Sequence, residues 1–146
     1  MQATATPTTA LERLAHQHAA TWVTPATLDD WAASAPHAVL LLAGDPLLRP
    51  EGQDVAAVLP ELIRAAGIPC AIGIAHRSDE EPLAARLGAQ RWPALVCFAH
   101  GRYATALSGM HDWLPFVQQF SAALAAPPSR PPIAIASPHT STASCS

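Results

Sequence analysis

Short apolar runs alternate with amphipathic segments along most of this chain, and each run has the length of one strand. Runs of this kind, bounded by Gly, Pro or polar residues, are typical of strands that are buried on both faces of a sheet. We predict five strands, at residues 22–23, 38–43, 69–75, 94–99 and 103–107.

Between these runs the apolar residues recur at helical spacing. Three of the segments begin with a capping-box pattern, in which a Ser or Thr side chain caps the helix and an acidic residue follows three positions later. The three patterns are Thr9 to Glu12, Thr27 to Asp30 and Ser78 to Glu81. We predict helices from Thr9, over 28–35, 53–66 and 78–88, and from Asp112 to about residue 126.

The predicted elements have the order β-α-β-α-β-α-β-β-α after an N-terminal helix. A parallel βαβ half that is followed by a β-hairpin and a helix is the order of the thioredoxin fold. The predicted fold class is therefore α/β, with a mixed sheet of thioredoxin-like type in residues 9–126. Residues 1–8 are predicted to be a flexible N-terminus, and the Pro-, Ser- and Thr-rich residues 127–146 a disordered tail.

The turn after the strand at 38–43 lacks the chemistry of a redox thioredoxin. A redox-active thioredoxin carries a Cys-x-x-Cys pair at this strand-to-helix turn, whereas this chain has Gly44-Asp45-Pro46-Leu47. Disulfide exchange begins with a thiolate, and none is available there. The sequence therefore predicts a thioredoxin-like protein that works without a dithiol.

The loop before the strand at 94–99 keeps a second feature of the fold. Trp92-Pro93 occupies the position of the cis-proline loop that contacts extended peptides in thioredoxins. We predict that this peptide bond is cis, because aromatic–proline bonds in tight turns favour that isomer. Two interpretations of the loop stay open: a backbone edge that pairs with a peptide, or a packing turn that the fold requires.

Composition and charge narrow the classes of partner. The 146 residues include eight arginines, no lysine and 11 acidic residues, which give a net charge of −3. Such a surface disfavours nucleic acid and anionic membranes and suits a basic peptide. No apolar run approaches the roughly 18 residues of a membrane span, and no signal-peptide pattern is visible. We therefore predict a cytoplasmic protein without stable membrane insertion, and the widely spaced cysteines agree with a reducing compartment.

Candidate catalytic groups are absent from the sequence pattern. The seven histidines have no metal-ligand spacing, and no triad, carboxylate pair or phosphate-binding loop is found. Cys70 and Cys97 lie in strand patterns, where a buried cysteine behaves as a small apolar residue. Their strands are not neighbours in a thioredoxin sheet, so no disulfide is expected between them. We predict no metal, no cofactor and no enzymatic activity.

Three segments are expected to meet at one end of the sheet: the altered turn, the proline loop and the start of the last helix. Acidic residues around the turn either stabilise a helix start or form a rim that binds arginine side chains of a partner, and both interpretations stay open. The acids at 79–81 are interpreted as helix-start residues. The predicted peptide-binding face consists of Asp45, Pro46, Glu51, Asp54, Trp92, Pro93, His111 and Trp113.

The chain resembles the HyaE-type hydrogenase expression proteins, which are thioredoxin-like accessory proteins of membrane-bound nickel–iron hydrogenases. The Asp-Pro turn and the Gly-x-His-x-Trp segment are the specific parts of this resemblance, which covers about residues 20–125. The matching segments are Leu28-Asp29-Asp30-Trp31, Val39-Leu40-Leu41, Asp45-Pro46, Pro50-Glu51, Glu61-Leu62, Arg86-Leu87-Gly88, Arg91-Trp92-Pro93-Ala94 and Gly109-Met110-His111-Asp112-Trp113.

The resemblance implies a cytoplasmic maturation chaperone. Its client would be the precursor of the iron–sulfur small subunit of the hydrogenase, including the twin-arginine signal peptide, and a second maturation accessory protein would be a further partner. Two alternatives stay open: a thiol–disulfide oxidoreductase that uses Cys70 or Cys97, and a structural subunit of a hydrogenase assembly complex.

Overall fold

One mixed sheet of five strands runs through the computed structural model, which describes residues 9–132. The helices are α1 (Ala10–His18), α2 (Leu28–Ala32), α3 (Glu51–Ala66), α4 (Arg77–Leu87) and α5 (Trp113–Ala125). The strands are β1 (Thr21–Trp22), β2 (His37–Leu42), β3 (Ala71–Ile74), β4 (Ala94–Ala99) and β5 (Arg102–Ser108). The predicted order of elements is confirmed.

The sheet has the strand order β1-β3-β2-β4-β5. β3 is parallel to β1 and to β2, whereas β4 is antiparallel to β2 and to β5. Parallel neighbours need a long crossover connection, and α3 supplies it between β2 and β3. β4 and β5 form a hairpin through His100 and Gly101, both of which have positive φ angles. The sheet therefore combines a parallel half with a C-terminal hairpin.

Two apolar cores lie on opposite faces of this sheet, because alternate side chains of a strand point to opposite faces. Val39 and Leu41 of β2 pack in the core that is covered by α1, α3 and α5. Leu40 and Leu42 pack in the core that is covered by α2 and α4. Burial on both faces explains why the strands read as nearly continuous apolar runs.

The helix caps match the capping-box predictions in one case of three. The Thr9 hydroxyl accepts a hydrogen bond from the Glu12 N–H (3.1 Å), as predicted for the start of α1. Thr27 makes no such bond to its own helix, because its hydroxyl accepts instead from the N–H of Thr24 (2.9 Å). The Thr27 hydroxyl thus bonds a backbone N–H of the preceding turn instead of capping its own helix. Ser78 lies inside α4 rather than at its cap.

Several element boundaries differ from the predicted ones. α3 begins at Glu51, two residues before the predicted start, because Pro50 already has a helical φ angle of −61°. α2 ends at Ala32 rather than at residue 35, and β3 covers 71–74 rather than 69–75. Pro60 lies within α3, as predicted. These shifts change the lengths of the connecting loops and leave the order of the elements unchanged.

The first residues of the predicted tail lie against the domain. Ser129 donates two hydrogen bonds to β5, from its N–H to the carbonyl of Tyr103 (2.7 Å) and from its hydroxyl to the carbonyl of Ala104 (2.6 Å). Further on, the carbonyl of Pro132 packs against Gly88 at the end of α4. Chain contacts thus extend beyond residue 126, while residues 133–146 and 1–8 lie outside the described residues, and the predicted division of the chain stays a prediction.

Candidate functional site

The strand register brings three loops to one end of the sheet. Leu42, the last residue of β2, pairs with Ala94, the first of β4, and Ala94 pairs in turn with Ser108, the last of β5. The loops that follow β2, precede β4 and follow β5 therefore leave the sheet side by side. These are the three loops on which the predicted peptide-binding residues lie.

Asp45 holds the turn that stands where redox thioredoxins carry their cysteines. Its carboxylate accepts from the Leu47 N–H (2.9 Å), and its carbonyl accepts from the N–H groups of Leu48 (3.1 Å) and Arg49 (2.7 Å). An aspartate that bonds the backbone two residues on is a common turn device. The half-buried Asp45 thus shapes the turn, while Pro46 beside it is exposed.

Two glycines let this turn approach its neighbours closely. Gly44 has a φ angle of +84°, and a Cβ atom on it would lie 3.3 Å from the Cβ of Trp92. At Gly52, in the first turn of α3, a Cβ atom would lie 2.0 Å from the carbonyl oxygen of Ala43. Only glycine permits such contact between backbone segments. The first turn of α3 therefore packs directly against the backbone that follows β2.

The proline loop lies next to the altered turn. The Trp92–Pro93 peptide bond is cis, so that prediction is confirmed. Trp92 is half-buried against the turn, Pro93 is buried, and the Pro93 carbonyl accepts from the Gly109 N–H (2.9 Å). That bond ties the proline loop to the segment that leads into α5.

The start of α5 completes this end of the molecule. His111 is half-buried; its Nε2 lies 2.7 Å from the carbonyl oxygen of Ser108, and its ring packs edge-on against Phe116. Asp112 occupies the N-cap position without making the predicted side-chain cap bond. Trp113 is 45% exposed. His111 therefore fixes the loop, and Trp113 presents its indole to solvent.

Large apolar side chains are exposed at this end of the fold. Among residues 9–132, all five exposed large apolar side chains belong to the altered turn or to the start of α5, and Leu47 is the most exposed, at 90%. Contiguous exposed apolar surface marks interaction sites in soluble proteins. We call this set the apolar patch; it consists of Leu47, Leu48, Met110, Trp113 and Leu114.

Sequence reasoning missed four of the five patch residues, because an apolar residue in a loop is read as core unless its exposure is known.

Acidic residues lie next to the patch in the chain. Glu51 and Asp54, in the first turn of α3, are exposed, and their spacing of three places them on one side of the helix. Arg49, which lies in the altered turn just before α3, is an exposed basic residue. The surroundings of the patch are thus mainly acidic.

Glu80 is a further residue that sequence reasoning missed, because it was interpreted as a helix-start acid. Its side chain is 1% exposed, and it is the only buried charged side chain among the described residues. Its Oε2 accepts from the Gly44 N–H (3.0 Å), and its Oε1 is paired with Nη1 of Arg77 (2.5 Å). A signal was present: the buried residues of α4 recur at three, four and seven positions after Glu80.

The two described cysteines are poor nucleophiles. Both are free thiols, and β2 separates the strands near which they lie, so the prediction of no disulfide between them is confirmed. Burial raises the pKa of Cys70 from 9.0 to about 11. Burial, together with the nearby Cys70, raises the pKa of Cys97 to about 12. Thiolate chemistry requires the opposite shift.

The part of the chain from 9 to 132 contains no group of three or more His, Cys, Asp or Glu side chains that could hold a metal ion. Within the same range, no helix is both long and apolar enough to cross a membrane.

The fold and this end of the sheet define a thioredoxin-like protein without a dithiol. In agreement, the thioredoxin of Plasmodium falciparum superposes with a TM-score of 0.56 at 12% identity, over 69% of this chain and 95% of that one. Such low identity shows the fold alone. The predicted fold class is confirmed.

The family is shown by sequence. The family model described as "Hydrogenase-1 expression protein HyaE" matches residues 10–116, and the chain belongs to this family. The hydrogenase expression/formation protein HoxO of Cupriavidus necator is 47% identical over 124 residues, which are 84% of this chain and 77% of that protein. The crystal structure of the putative hydrogenase expression/formation protein hupG from Rhodopseudomonas palustris has 33% identity and a TM-score of 0.50, over 72% of this chain and 95% of that one. The resemblance is confirmed, and the protein serves hydrogenase expression and formation.

Proposed function

We propose that this protein is a non-catalytic maturation chaperone of a nickel–iron hydrogenase. It binds the precursor of the iron–sulfur small subunit in the cytoplasm, through a segment that includes the twin-arginine signal peptide, and holds it until assembly is complete. The binding face is the end of the sheet that carries the apolar patch together with Asp45, Glu51, Asp54, Trp92 and His111.

The apolar patch is the observation that carries this proposal. Five large apolar side chains stay in water, whereas the other large apolar residues among 9–132 are buried or half-buried. Exposed apolar surface of this kind favours a partner with an apolar segment. The neighbouring carboxylates favour arginine side chains, since charge-assisted bonds between guanidinium and carboxylate are strong. An arginine pair that is followed by an apolar run offers both.

The thiols favour a chaperone over an oxidoreductase. The pKa values of Cys70 and Cys97 are raised to about 11 and about 12, so both groups are protonated at neutral pH. Neither cysteine lies in the turn at which thioredoxins react. An assay of insulin disulfide reduction should give no turnover with this protein, and turnover that depends on Cys70 or Cys97 would overturn the non-catalytic assignment.

Two double variants test the two parts of the binding face. Glu51→Gln with Asp54→Asn removes the carboxylates, and Leu47→Ser with Leu48→Ser removes apolar surface. Each charge-assisted bond contributes roughly 1.5–3 kcal/mol when partly shielded. We therefore expect either variant to weaken binding of the purified precursor at least about tenfold, or about 1.4 kcal/mol, in a calorimetric titration at low salt.

The matched control is Asp30→Asn with Glu61→Gln, which removes the same charge from exposed positions on α2 and on the second half of α3. It should bind like the wild type. The loss in the Glu51/Asp54 variant should shrink as salt rises, because screening already weakens the wild-type contact, whereas the loss in the leucine variant should not. Melting temperatures must match, because Glu51 and Asp54 also interact with the helix dipole. Unchanged binding by both variants would refute this face as the client site.

A further inference from the structure

A cavity of about 180 Å³ lies beside the altered turn. Its walls come from the starts of α1, α3 and α4, the end of β1, the turn after β2 and the residues that follow β3. Trp22 and Ile74 pair at the ends of β1 and β3, so the cavity lies beyond the carboxyl ends of the three parallel strands. Ligands of open α/β sheets bind outside these strand ends. We call it the Glu80 cavity.

Glu80 lines this cavity, and its side chain is buried. A charged group that is buried in this way is costly unless it is paired. The contacts to Gly44 and Arg77 use one acceptor position on each oxygen. A carboxylate offers about four such positions, so Glu80 keeps the capacity to accept further hydrogen bonds.

The present partner of Glu80 is a guanidinium group that remains in contact with water. Arg77 lies one helical turn before Glu80, and its side chain is 55% exposed. The guanidinium can therefore return to water, whereas the buried carboxylate that it leaves needs another cationic partner. The pair shows that the carboxylate accepts a guanidinium, and the exposure of Arg77 means that another guanidinium can take its position.

An aromatic wall lies next to this carboxylate. The rings of Trp22 and His76 are stacked, with centroids 3.9 Å apart and planes 6° from parallel, and both residues line the cavity. Planar guanidinium groups stack on aromatic faces, whereas the ammonium group of lysine makes a less specific contact. The cavity thus offers a carboxylate that accepts hydrogen bonds and an aromatic surface for stacking, and these two interactions together favour arginine over lysine.

We propose that the Glu80 cavity binds the guanidinium group of an arginine side chain from a bound peptide. Glu80 accepts its hydrogen bonds, Arg77 moves aside, and the Trp22–His76 stack covers its plane. The inference rests on the proposed function in that the arginine belongs to the client. Pro46 lines the cavity and is adjacent to Leu47 of the apolar patch, so one extended peptide reaches both sites.

Binding of two synthetic peptides to the full chain tests this inference. One peptide carries two adjacent arginines followed by an apolar run, and the other carries two lysines in their place. We expect the wild type to bind the arginine peptide at least about tenfold more tightly in calorimetric titrations. Glu80→Gln should abolish this preference, while Glu81→Gln, which removes the same charge from an exposed neighbour on α4, should retain it.

Arg77→Ala is the second variant and leaves Glu80 in place. It should bind the arginine peptide several-fold more tightly than the wild type does, because the competing guanidinium of Arg77 is gone. If Glu80→Gln does not fold, this variant alone tests whether the Glu80 cavity binds the arginine. Equal binding of the two peptides by the wild type, a preference that survives in Glu80→Gln, or weaker binding by Arg77→Ala would overturn the inference. Failure of both peptides to bind would instead overturn the proposed function, and this inference with it.

Discussion

At the scale of single residues, the two described cysteines show how burial sets reactivity. Cys97 is fully buried in β4, and Cys70 is half-buried just before β3. A thiol loses its proton less readily in an apolar environment, because the thiolate cannot be solvated there. With a pKa of about 11, roughly one Cys70 side chain in a thousand is ionised at pH 8.

We expect both thiols to resist alkylation in the folded protein. In Cys145→Ser, which removes the third thiol, iodoacetamide at pH 8 should label the native protein far more slowly than the urea-unfolded chain, as counted by mass spectrometry. The free energy of unfolding should also fall as pH rises above about 9, because the thiols ionise in the unfolded state before they ionise in the folded one. Rapid labelling of either cysteine in the native state would contradict the raised pKa values.

Glu80 marks the limit of sequence reasoning at this scale. An acid in the first turn of a helix is usually explained by the helix dipole, and the same explanation suited Asp79 and Glu81. Helical spacing relative to the other buried residues of α4 indicates that Glu80 faces inwards, but only the three-dimensional packing shows that it meets the N–H of Gly44, 36 positions earlier in the chain. A contact over such a distance leaves no local pattern.

At the scale of elements, the strands were predictable, whereas the hydrogen bonds that cap the helices were not. Strands such as 94–99 are buried on both faces, so their apolar runs coincide with the strand itself. A cap, in contrast, is decided by competing hydrogen bonds, as the preference of Thr27 for Thr24 shows. The positions of the predicted site residues followed from strand order, while the apolar patch depended on exposure, which the sequence does not reveal.

The contact between α3 and β2 gives a prediction about stability. Helix propensity alone predicts that Gly52→Ala stabilises α3 by about 1 kcal/mol. The new methyl group would instead meet the Ala43 carbonyl at 2.0 Å, and neither backbone can move without separating the helix from the strand. We expect a loss of about 3 kcal/mol in urea denaturation. A stabilised variant would contradict the close approach, so the sign of the change in the free energy of unfolding is enough to test it.

At the scale of the whole molecule, the contacts of Ser129 and the proposed binding face lie at opposite ends of the sheet. Tyr103 and Ala104 are near the hairpin end of β5, whereas Ser108 is at the end where the three loops meet. The contacts of Ser129 therefore concern the stability of the domain rather than the client site. The predicted tail, residues 127–146, divides accordingly into a part that makes these contacts and a part beyond the described residues.

Two truncations separate these parts. A chain that ends at Pro132 should equal the full chain in thermal stability and in precursor binding. A chain that ends at Pro127 should lose about 1–2 kcal/mol, since two hydrogen bonds to β5 are removed, with precursor binding unchanged below the melting transition. Loss of binding in either truncation, with the fold intact, would show that the tail contributes to the client site.

The position of Ser129 also bears on how the protein behaves at high concentration. β5 is an outer strand of the sheet, and an outer strand offers unpaired backbone groups to any other chain that presents an extended segment. Under the proposed function, the clients arrive incompletely folded and present such segments. By engaging the carbonyls of Tyr103 and Ala104, the C-terminal segment leaves this border of the sheet less receptive to them. Under the proposed function, this arrangement favours contact of unfolded clients with the opposite end of the molecule, where the apolar patch lies.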